Sequence, residues 1–268
     1  MSNFHVIAGA GDTIVQPSIR TIGVADLIDA LRMGLNDFLM KPSHVVFICI
    51  IYPIIGVLLA AWTSGSNVLQ LLFPLMSGFA LLGPFAAIGL YEISRRREQH
   101  IDTSWSHAFD VLRSPAIPAI AAIGVLLLVV FVAWMLAAQF LYTALIGPEA
   151  PASIGEFAAD LFGTSRGWSL IIIGNAVGFV FAAFVLCTTV VAFPILLDRD
   201  VGAYEAIHTS FRAVSENPIT LAIWGIIVAL CLAIGSLPLF AGLAVVFPIL
   251  GHATWHLYRK LVSVTPRA

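Results

Sequence analysis

The stretch AIPAIAAIGVLLLVVFVAWMLAAQFLYTALI, Ala116–Ile146, contains no Asp, Glu, Lys, Arg or His. About 20 apolar residues in a helix cross the ~30 Å hydrocarbon layer of a bilayer, so this stretch is long enough to span it. Of the 268 residues in the chain, 60% are hydrophobic and only 10% are charged, whereas soluble domains are about 25% charged. The sequence therefore predicts an integral membrane protein, and its net charge of −2 gives no indication of nucleic-acid binding.

Six stretches of the chain are predicted to span a membrane. They are His44–Trp62, Val68–Glu92, Ala116–Ile146, Trp168–Leu197, Ile219–Gly235 and Leu237–Tyr258. Six spans place both termini and the loops 93–115 and 198–218 on one side of the membrane. Every Lys and Arg except Arg166 falls on that side. Because cytoplasmic loops are enriched in basic residues, both termini are predicted to be cytoplasmic.

The chain also resembles itself. PLMSGFALLGPFAAIGLYEISRR (Pro74–Arg96) aligns without a gap to PLFAGLAVVFPILGHATWHLYRK (Pro238–Lys260). An amphipathic segment that stops at a proline precedes each odd-numbered span: ALRMGLNDFLMKP, WSHAFDVLRSP and HTSFRAVSENP. Spacings of three and four residues put the large apolar side chains of each segment on one helix face. These apolar stripes are Ile28, Leu31, Leu35 and Phe38; Trp105, Ala108, Phe109 and Leu112; and Tyr204, Ile207, Phe211 and Val214.

The predicted fold is all-α, a polytopic bundle of six transmembrane helices. It is built from three repeats, each an interfacial amphipathic helix followed by a transmembrane hairpin, at about 23–97, 98–197 and 198–260. Residues 1–22 and 261–268 are predicted to be cytoplasmic tails, the first of them mobile. Outside the repeats, Ser153 and Glu156 have the spacing of a capping box, which predicts a short helix on the opposite surface.

Polar and helix-bending residues inside the spans suggest packing or a pathway. Pro84, Pro194 and Pro248 recur in the even-numbered spans and predict a shared bend. The tract GNAVG places Gly174 and Gly178 on either side of Asn175. This small-xxx-small pattern predicts close helix packing with an amide hydrogen bond across the interface. A contact with a solute in a pathway is the alternative interpretation.

His252 and His256 lie four residues apart and share a helix face near the end of the last predicted span. A metal site would require them to meet Glu92 and Asp198, because zinc needs about four ligands. A haem site would require His44 to face one of the pair across the bundle. The favoured interpretation is that both histidines form interfacial hydrogen bonds, so no cofactor is predicted, with haem or a metal as the alternative.

The sequence also resembles a known family. IGVADLIDALRMGLNDFLMKPSHVVF, FALLGPFAAIGLYEISRRRE, SWSHAFDVLRSP and GLAVVFPILGHATWHLYRK look like DUF2189, a family of bacterial integral membrane proteins. The resemblance extends from about Ile22 to Tyr258. It implies location in the bacterial inner membrane, but it implies no activity, because the family is uncharacterised.

Motifs and charges that the sequence lacks argue against several classes of function. The sequence contains no Gly-rich phosphate loop, nucleophile elbow, HExxH or CxxC motif. Its spans carry no charged residue away from their ends, unlike the spans of proton pumps and ion-coupled carriers. The sequence favours a non-enzymatic accessory, scaffold or assembly component whose partners are the lipid bilayer and other membrane proteins. The alternatives are a channel or carrier for a weakly polar or lipidic solute, and a haem- or metal-binding respiratory-chain-associated subunit.

Overall fold

A computed structural model of the chain describes residues 17–40, 69–199, 201–238 and 240–263, together with positions 54, 56 and 58. The first predicted span, 44–62, falls outside the described residues except at those three positions, and His44 is among the residues not described. Residues 1–16 and 264–268 of the predicted tails also lie outside.

The described part of the chain is helical apart from one short strand pair, which confirms the all-α prediction. In chain order the helices are α1 (Val24–Met40), α2 (Leu72–Leu81), α3 (Gly83–Ala86), α4 (Ile88–Glu98), α5 (Ile117–Leu145), α6 (Ile154–Gly163), α7 (Ser165–Thr189), α8 (Ala192–Asp198), α9 (Ala203–Glu216), α10 (Pro218–Ser236) and α11 (Leu243–Leu261). Two 3-10 segments, Leu69–Leu71 and Trp105–Arg113, complete the helical structure of the described residues. The strands β1 (Ser18–Ile19) and β2 (Val262–Ser263) pair in antiparallel register.

Three of the helical segments are long and apolar enough to cross a membrane: Ile117–Leu145, Ser165–Asp198 and Pro218–Ser236. They coincide, within three residues at each end, with the third, fourth and fifth spans predicted from the sequence. The second predicted span is divided among α2, α3 and α4, and the sixth begins as a helix only at Leu243. The count of six spans and the threefold repeat thus stay predictions.

The three recurring prolines have different local structures. Pro84 and Pro194 each lie just after an interruption, because α2 ends at Leu81 and α7 ends at Thr189. Pro248 lies inside the continuous helix α11. Proline lacks an N–H and its ring crowds the carbonyl four residues earlier, so both a break and a locally distorted helix can accommodate it. The bend predicted for all three prolines is a helix break at two of them.

The contact between α1 and α11 forms the centre of the described structure. A Cβ atom on Gly34 of α1 would lie 2.5 Å from the backbone nitrogen of Ala253 in α11, so only glycine permits this approach. Trp255 and Tyr258 of α11 are fully buried. The strand pair joins the segments that flank these helices, and Arg20 N–H donates to the Leu261 carbonyl at 2.8 Å. The strand pair thus includes residues that precede the boundary predicted at residue 23.

The amphipathic helices α1 and α9 turn small and polar residues toward the protein and expose part of their apolar stripes, although Phe38 of the α1 stripe is buried. Ala30 and Gly34 of α1 are buried, whereas Ile28 in its stripe is 56% exposed. In α9, Ala206 is buried and Tyr204 in the stripe is 64% exposed. Outward-facing large apolar side chains are what a helix lying on a bilayer surface requires.

The 3-10 segment Trp105–Arg113 has the same orientation. Ala108 and Val111 are buried, whereas Phe109 and Leu112 are exposed. Although this segment was predicted as an amphipathic helix, it forms the tighter helix type, so its apolar side chains are spaced differently from those of α1 and α9.

Helix α6 begins at the predicted capping box. The Ser153 hydroxyl oxygen accepts a hydrogen bond from the Glu156 N–H at 3.1 Å, and Glu156 Oε2 accepts one from the Ala152 N–H at 2.9 Å. The side chain of Phe157 packs against the Tyr142 ring of α5. The short helix is thus fixed to the end of a membrane-crossing helix.

Candidate functional site

Asp37 of α1 lies at the centre of a buried polar group. Its carboxylate Oδ2 accepts hydrogen bonds from Ser94 Oγ of α4 at 2.7 Å and from His256 Nε2 of α11 at 2.9 Å. Arg97 Nη1 of α4 lies 3.0 Å from Asp37 Oδ1 and also donates to the Asp37 backbone carbonyl at 2.6 Å. Together with His252, whose Nδ1 lies 2.7 Å from Ser94 Oγ, these five residues are called the Asp37 cluster.

The hydrogen-bond pattern assigns the protons within the Asp37 cluster. An ionised carboxylate can only accept, so the single hydroxyl proton of Ser94 is donated to Asp37. The Ser94 oxygen must then accept from His252, which carries its proton on Nδ1. His252 is fully buried. His256 donates from Nε2 to the carboxylate.

The Asp37 carboxyl stays ionised although only 4% of the residue is exposed. Burial alone would raise its pKa, because a charged group is less stable away from water. The hydrogen bonds from His256 and Ser94 oppose burial, and the positive charge of His256 adds to their effect. The resulting pKa of Asp37 is about 2, below its usual 3.8.

Residue spacing explains how three helices meet at this carboxylate. Ser94 and Arg97 are three residues apart in α4, and His252 and His256 are four apart in α11, so each pair shares a helix face. Gly34 precedes Asp37 by one turn, and its close approach to α11 brings the carboxylate within reach of His256. The geometry of the Asp37 cluster thus depends on Gly34, although Gly34 is not one of its hydrogen-bonding residues.

The histidine pair predicted from the sequence is brought together by residues that were not predicted. His252 and His256 both connect to Asp37, directly or through Ser94. Asp37, Ser94 and Arg97 were not identified from the sequence. The one signal for Asp37 in the sequence is its position one turn after the only glycine of α1.

Glu92 and Asp198, which were considered as metal ligands with the histidines, have other partners. Arg95 binds Glu92 through two hydrogen bonds, from Nε at 2.8 Å and from Nη2 at 3.0 Å. Asp198 accepts a hydrogen bond from the Tyr258 hydroxyl at 2.6 Å and lies 3.5 Å from Arg259 Nη1. In the part of the chain that the structure describes, no group of three or more His, Cys, Asp or Glu residues could hold a metal ion. His44 lies outside the described residues.

The polar tract in α7 makes different contacts from those predicted. The Asn175 side-chain amide donates to the Ile171 carbonyl of its own helix at 2.8 Å, and the side chain is exposed. Space around Gly174 is open, since an added Cβ would meet nothing within 4 Å. Gly178 does pack closely, because an added Cβ would lie 3.1 Å from the Trp134 ring of α5.

A second group of a histidine and carboxylates lies before α5. His107 Nδ1 is 2.6 Å from Asp110 Oδ2, and His107 Nε2 is 2.9 Å from Asp102 Oδ2. The hydrogen bonds to Asp110 and Asp102 raise the pKa of His107 above its usual 6.5. These hydrogen bonds hold the segment between α4 and α5. Because they involve a histidine that titrates and is open to solvent, their strength depends on pH.

Comparison with known proteins identifies the central part of the chain. Residues 72–198 match the model of DUF2189, described as a predicted integral membrane protein. This segment, just under half of the chain, is similar to DUF2189. The resemblance to this family seen in the sequence is thereby confirmed over the matched segment, which runs from the start of α2 to the end of α8. It contains Ser94 and Arg97 of the Asp37 cluster, whereas Asp37 and both histidines lie outside it. No curated protein and no solved structure matches the chain.

Proposed function

We propose that this protein is a non-enzymatic accessory, scaffold or assembly component for other membrane proteins in the bacterial inner membrane, with both termini cytoplasmic. The observation that carries the proposal is the Asp37 cluster. Its hydrogen-bonding groups join α1, α4 and α11 to one another instead of lining an accessible cleft. A catalytic acid or base must reach a substrate proton, and these buried groups already have internal partners.

Ion pairs around the Asp37 cluster extend the same connection between helices. Lys260 Nζ lies 2.6 Å from Asp29 Oδ2 of α1, and Arg259 Nη2 lies 2.9 Å from Glu98 Oε1 of α4. The Trp255 indole N–H also donates to Glu98, at 3.2 Å. Polar groups that fix helix positions in this way support a rigid unit, which suits a protein that presents a constant surface to a partner.

The apolar stripes supply the outer surface of this unit. Residues such as Leu35, Phe109 and Phe211 are exposed, so each must be covered by lipid or by another membrane protein. An accessory protein needs such a surface, and the small residues on the inner faces of α1 and α9 allow both helices to pack closely against the rest of the protein.

The alternative of a solute pathway has weaker support. An apolar cavity of about 70 Å³ lies between α3, α10 and α11, bounded in part by Gly83, Ser236 and Phe247. This volume corresponds to about two water molecules, whereas sites for small molecules usually have several hundred Å³. In the described spans, charged side chains occur only at the ends, Arg166 and Asp198, so a carried ion would have no charged partner at mid-depth there.

The alternative of a haem or metal site is likewise less supported. The ring nitrogens of His252 and His256 that face Asp37 are used in hydrogen bonds to Ser94 and to the carboxylate. A haem or metal ion at the pair would have to replace these bonds. Absorption spectra and metal analysis of the purified protein test this alternative directly, and a stoichiometric haem or metal ion would overturn the non-cofactor proposal.

The proposal is tested by comparing membrane complexes with and without an intact Asp37 cluster. Native gel electrophoresis of solubilised membranes, with quantitative mass spectrometry, would be performed for the wild type, Ser94→Ala and the matched control Ser215→Ala. Ser215 is exposed and bonds only to the Phe211 carbonyl of its own helix, so its removal leaves the cluster unchanged. We expect a stoichiometric membrane partner that is retained by Ser215→Ala and lost from Ser94→Ala. Solute flux or catalytic turnover by the purified protein in liposomes would contradict the proposal.

A further inference from the structure

A polar cavity of about 310 Å³ lies beside the Asp37 cluster, between α4, the entry to α5 and the end of α8. Four arginines line it: Arg95, Arg96, Arg113 and Arg199. The cavity is called the arginine cavity below. Three acidic residues also line it, so its formal charge is one unit positive.

The acidic residues of the arginine cavity are already paired. Glu92 is bound through two hydrogen bonds by Arg95, and Asp198 accepts a hydrogen bond from the Tyr258 hydroxyl. Asp110 lies 2.6 Å from His107 and 3.5 Å from Arg96. These pairs use most of the negative charge, and they leave two of the four arginines able to bind an additional anion.

Arg113 and Arg199 are those two arginines. Arg113 makes no hydrogen bond or ion pair with the residues that the structure describes, and its side chain lies at the opening. Arg199 forms an ion pair with Asp198 through Nε at 3.6 Å and also interacts with the Tyr258 hydroxyl. Its Nη2 is buried and has no hydrogen-bond partner among the described residues. A buried guanidinium N–H without an acceptor is unfavourable, and an anion oxygen would satisfy it.

The position of the arginine cavity in the fold adds a third favourable feature. Ser114, Pro115 and Ala116 line it directly before α5, so the N-terminal end of this 29-residue helix opens on the cavity. A helix N-terminus carries partial positive charge, which favours anions. The Ala116 and Ile117 N–H groups themselves already donate to Ser114. Two membrane-crossing segments, Ile117–Leu145 and Ser165–Asp198, end at the cavity, which places it at the depth of lipid phosphate groups.

The surface beside the opening is apolar. Leu112 is 71% exposed, and it separates Val111 from Arg113, which both line the cavity. Phe109, three residues earlier, is also exposed. A lipid phosphate bound by the arginines would therefore have apolar side chains next to it for the upper part of its acyl chains.

We propose that the arginine cavity binds a phosphate group through Arg113 and Arg199, beside the positively polarised N-terminal end of α5. An anionic phospholipid headgroup and free inorganic phosphate share this chemistry, and the experiment distinguishes them. The proposal does not depend on the accessory function proposed above, because a phosphate site is compatible with a protein of any function.

The experiment uses purified full-length protein in a neutral detergent. Binding of dioleoyl-phosphatidylglycerol, inorganic phosphate and phosphate-free dioleoylglycerol is measured by native mass spectrometry and by the shift in thermal unfolding. The variants are Arg113→Gln, Arg199→Gln and the control Arg32→Gln. Arg32 is exposed on α1, so the Arg32→Gln control removes the same charge at a position away from the cavity. Arg113 is exposed as well, so Arg113→Gln should leave folding intact even if the partly buried Arg199 does not tolerate substitution.

We expect dioleoyl-phosphatidylglycerol to bind and dioleoylglycerol not to bind. Loss of a charge-assisted hydrogen bond should weaken the phosphatidylglycerol affinity at least about tenfold in Arg113→Gln, with a smaller loss in Arg113→Lys and less than about twofold in Arg32→Gln. If inorganic phosphate alone binds with this dependence on Arg113, the site takes free phosphate. Failure of both phosphate probes to bind, or equal losses in Arg113→Gln and Arg32→Gln, would overturn the proposal.

Discussion

Substitution of Gly34 by alanine tests the contact that holds α1 against α11. The added Cβ would lie 2.5 Å from the backbone nitrogen of Ala253 and 2.7 Å from its Cα and Cβ. Non-bonded heavy atoms are most stable at about 3.5–4.0 Å, so α1 must move by roughly 1 Å. The atoms in the way are mainly backbone, which cannot rotate aside as a flexible side chain can.

The same displacement would stretch the hydrogen bonds that Asp37 receives from Ser94 and His256, now 2.7 and 2.9 Å long. Overpacking of this kind costs about 1–3 kcal/mol, and a weakened hydrogen bond to a charged group costs about 1–2 kcal/mol more. In the opposite direction, alanine stabilises the helix by about 1 kcal/mol because it is a better helix former than glycine. We therefore expect Gly34→Ala to lower the free energy of unfolding by about 1–4 kcal/mol.

The measurement compares wild type, Gly34→Ala and Gly174→Ala by denaturant unfolding in one detergent, followed by tryptophan fluorescence. Trp255 and Trp224 are buried, so their emission reports loss of the packed state. Gly174 is the matched control, since an added Cβ there meets nothing within 4 Å. Its alanine variant should be as stable as the wild type or up to about 1 kcal/mol more stable. Equal stabilities of Gly34→Ala and Gly174→Ala would refute the reasoning.

Three further results are expected from the polar groups. Ser94→Ala should lower the free energy of unfolding by about 1–3 kcal/mol, measured by denaturant unfolding, because it leaves a buried imidazole N–H unpaired. The control Ser215→Ala, at an exposed position, should change this free energy by less than about 0.5 kcal/mol. Similar losses in the two variants would contradict the prediction. The folded-state pKa of Asp37 is lowered to about 2, so its ionised form contributes about 2 kcal/mol to the free energy of unfolding above pH 4, and this contribution is lost as pH falls toward 2. Asp37→Asn should lack this part of the dependence of stability on pH, and an unchanged acid profile in that variant would contradict the prediction. The raised pKa of His107 means that its ion pairs are present below pH 6.5 and are lost as pH rises through the folded-state pKa. Its NMR titration midpoint should therefore lie above 6.5 and should fall in Asp110→Asn, and an unshifted midpoint in that variant would exclude Asp110 as the main cause.

The features of the fold that could be predicted from the sequence depend on apolar length and local chemistry. The segment Ile117–Leu145 agrees with its predicted limits within one residue, because a charge-free run of that length has one stable state in a bilayer. The Ser153–Glu156 cap was predictable because both partners lie within one turn. The division of the second predicted span near Leu82 was anticipated only as a bend at Pro84, since apolar composition is unchanged across the break.

The candidate site could be predicted only in part. Periodicity located the stripe of α1 but did not show which face packs on the protein, because a membrane-associated helix has apolar surroundings on both sides. Asp37 therefore looked like a solvent-facing residue, although it is buried against α11. The partners of His252 and His256 come from residues that are distant in sequence, and only the fold reveals which helix supplies the carboxylate.

The pairing of α1 with α11 has a consequence for biosynthesis. The hydrogen bond between Asp37 and His256 joins residues 219 positions apart. At synthesis rates of about 5–20 residues per second, α1 leaves the ribosome roughly 10–45 s before its partner helix exists. Throughout that interval its glycine face and its carboxylate have no α11 to contact, while the intervening segments are inserted. The contact of α1 with α11 can thus form only after all the intervening segments have been synthesised, and a nascent chain arrested before residue 256 would expose α1 to chaperones and proteases.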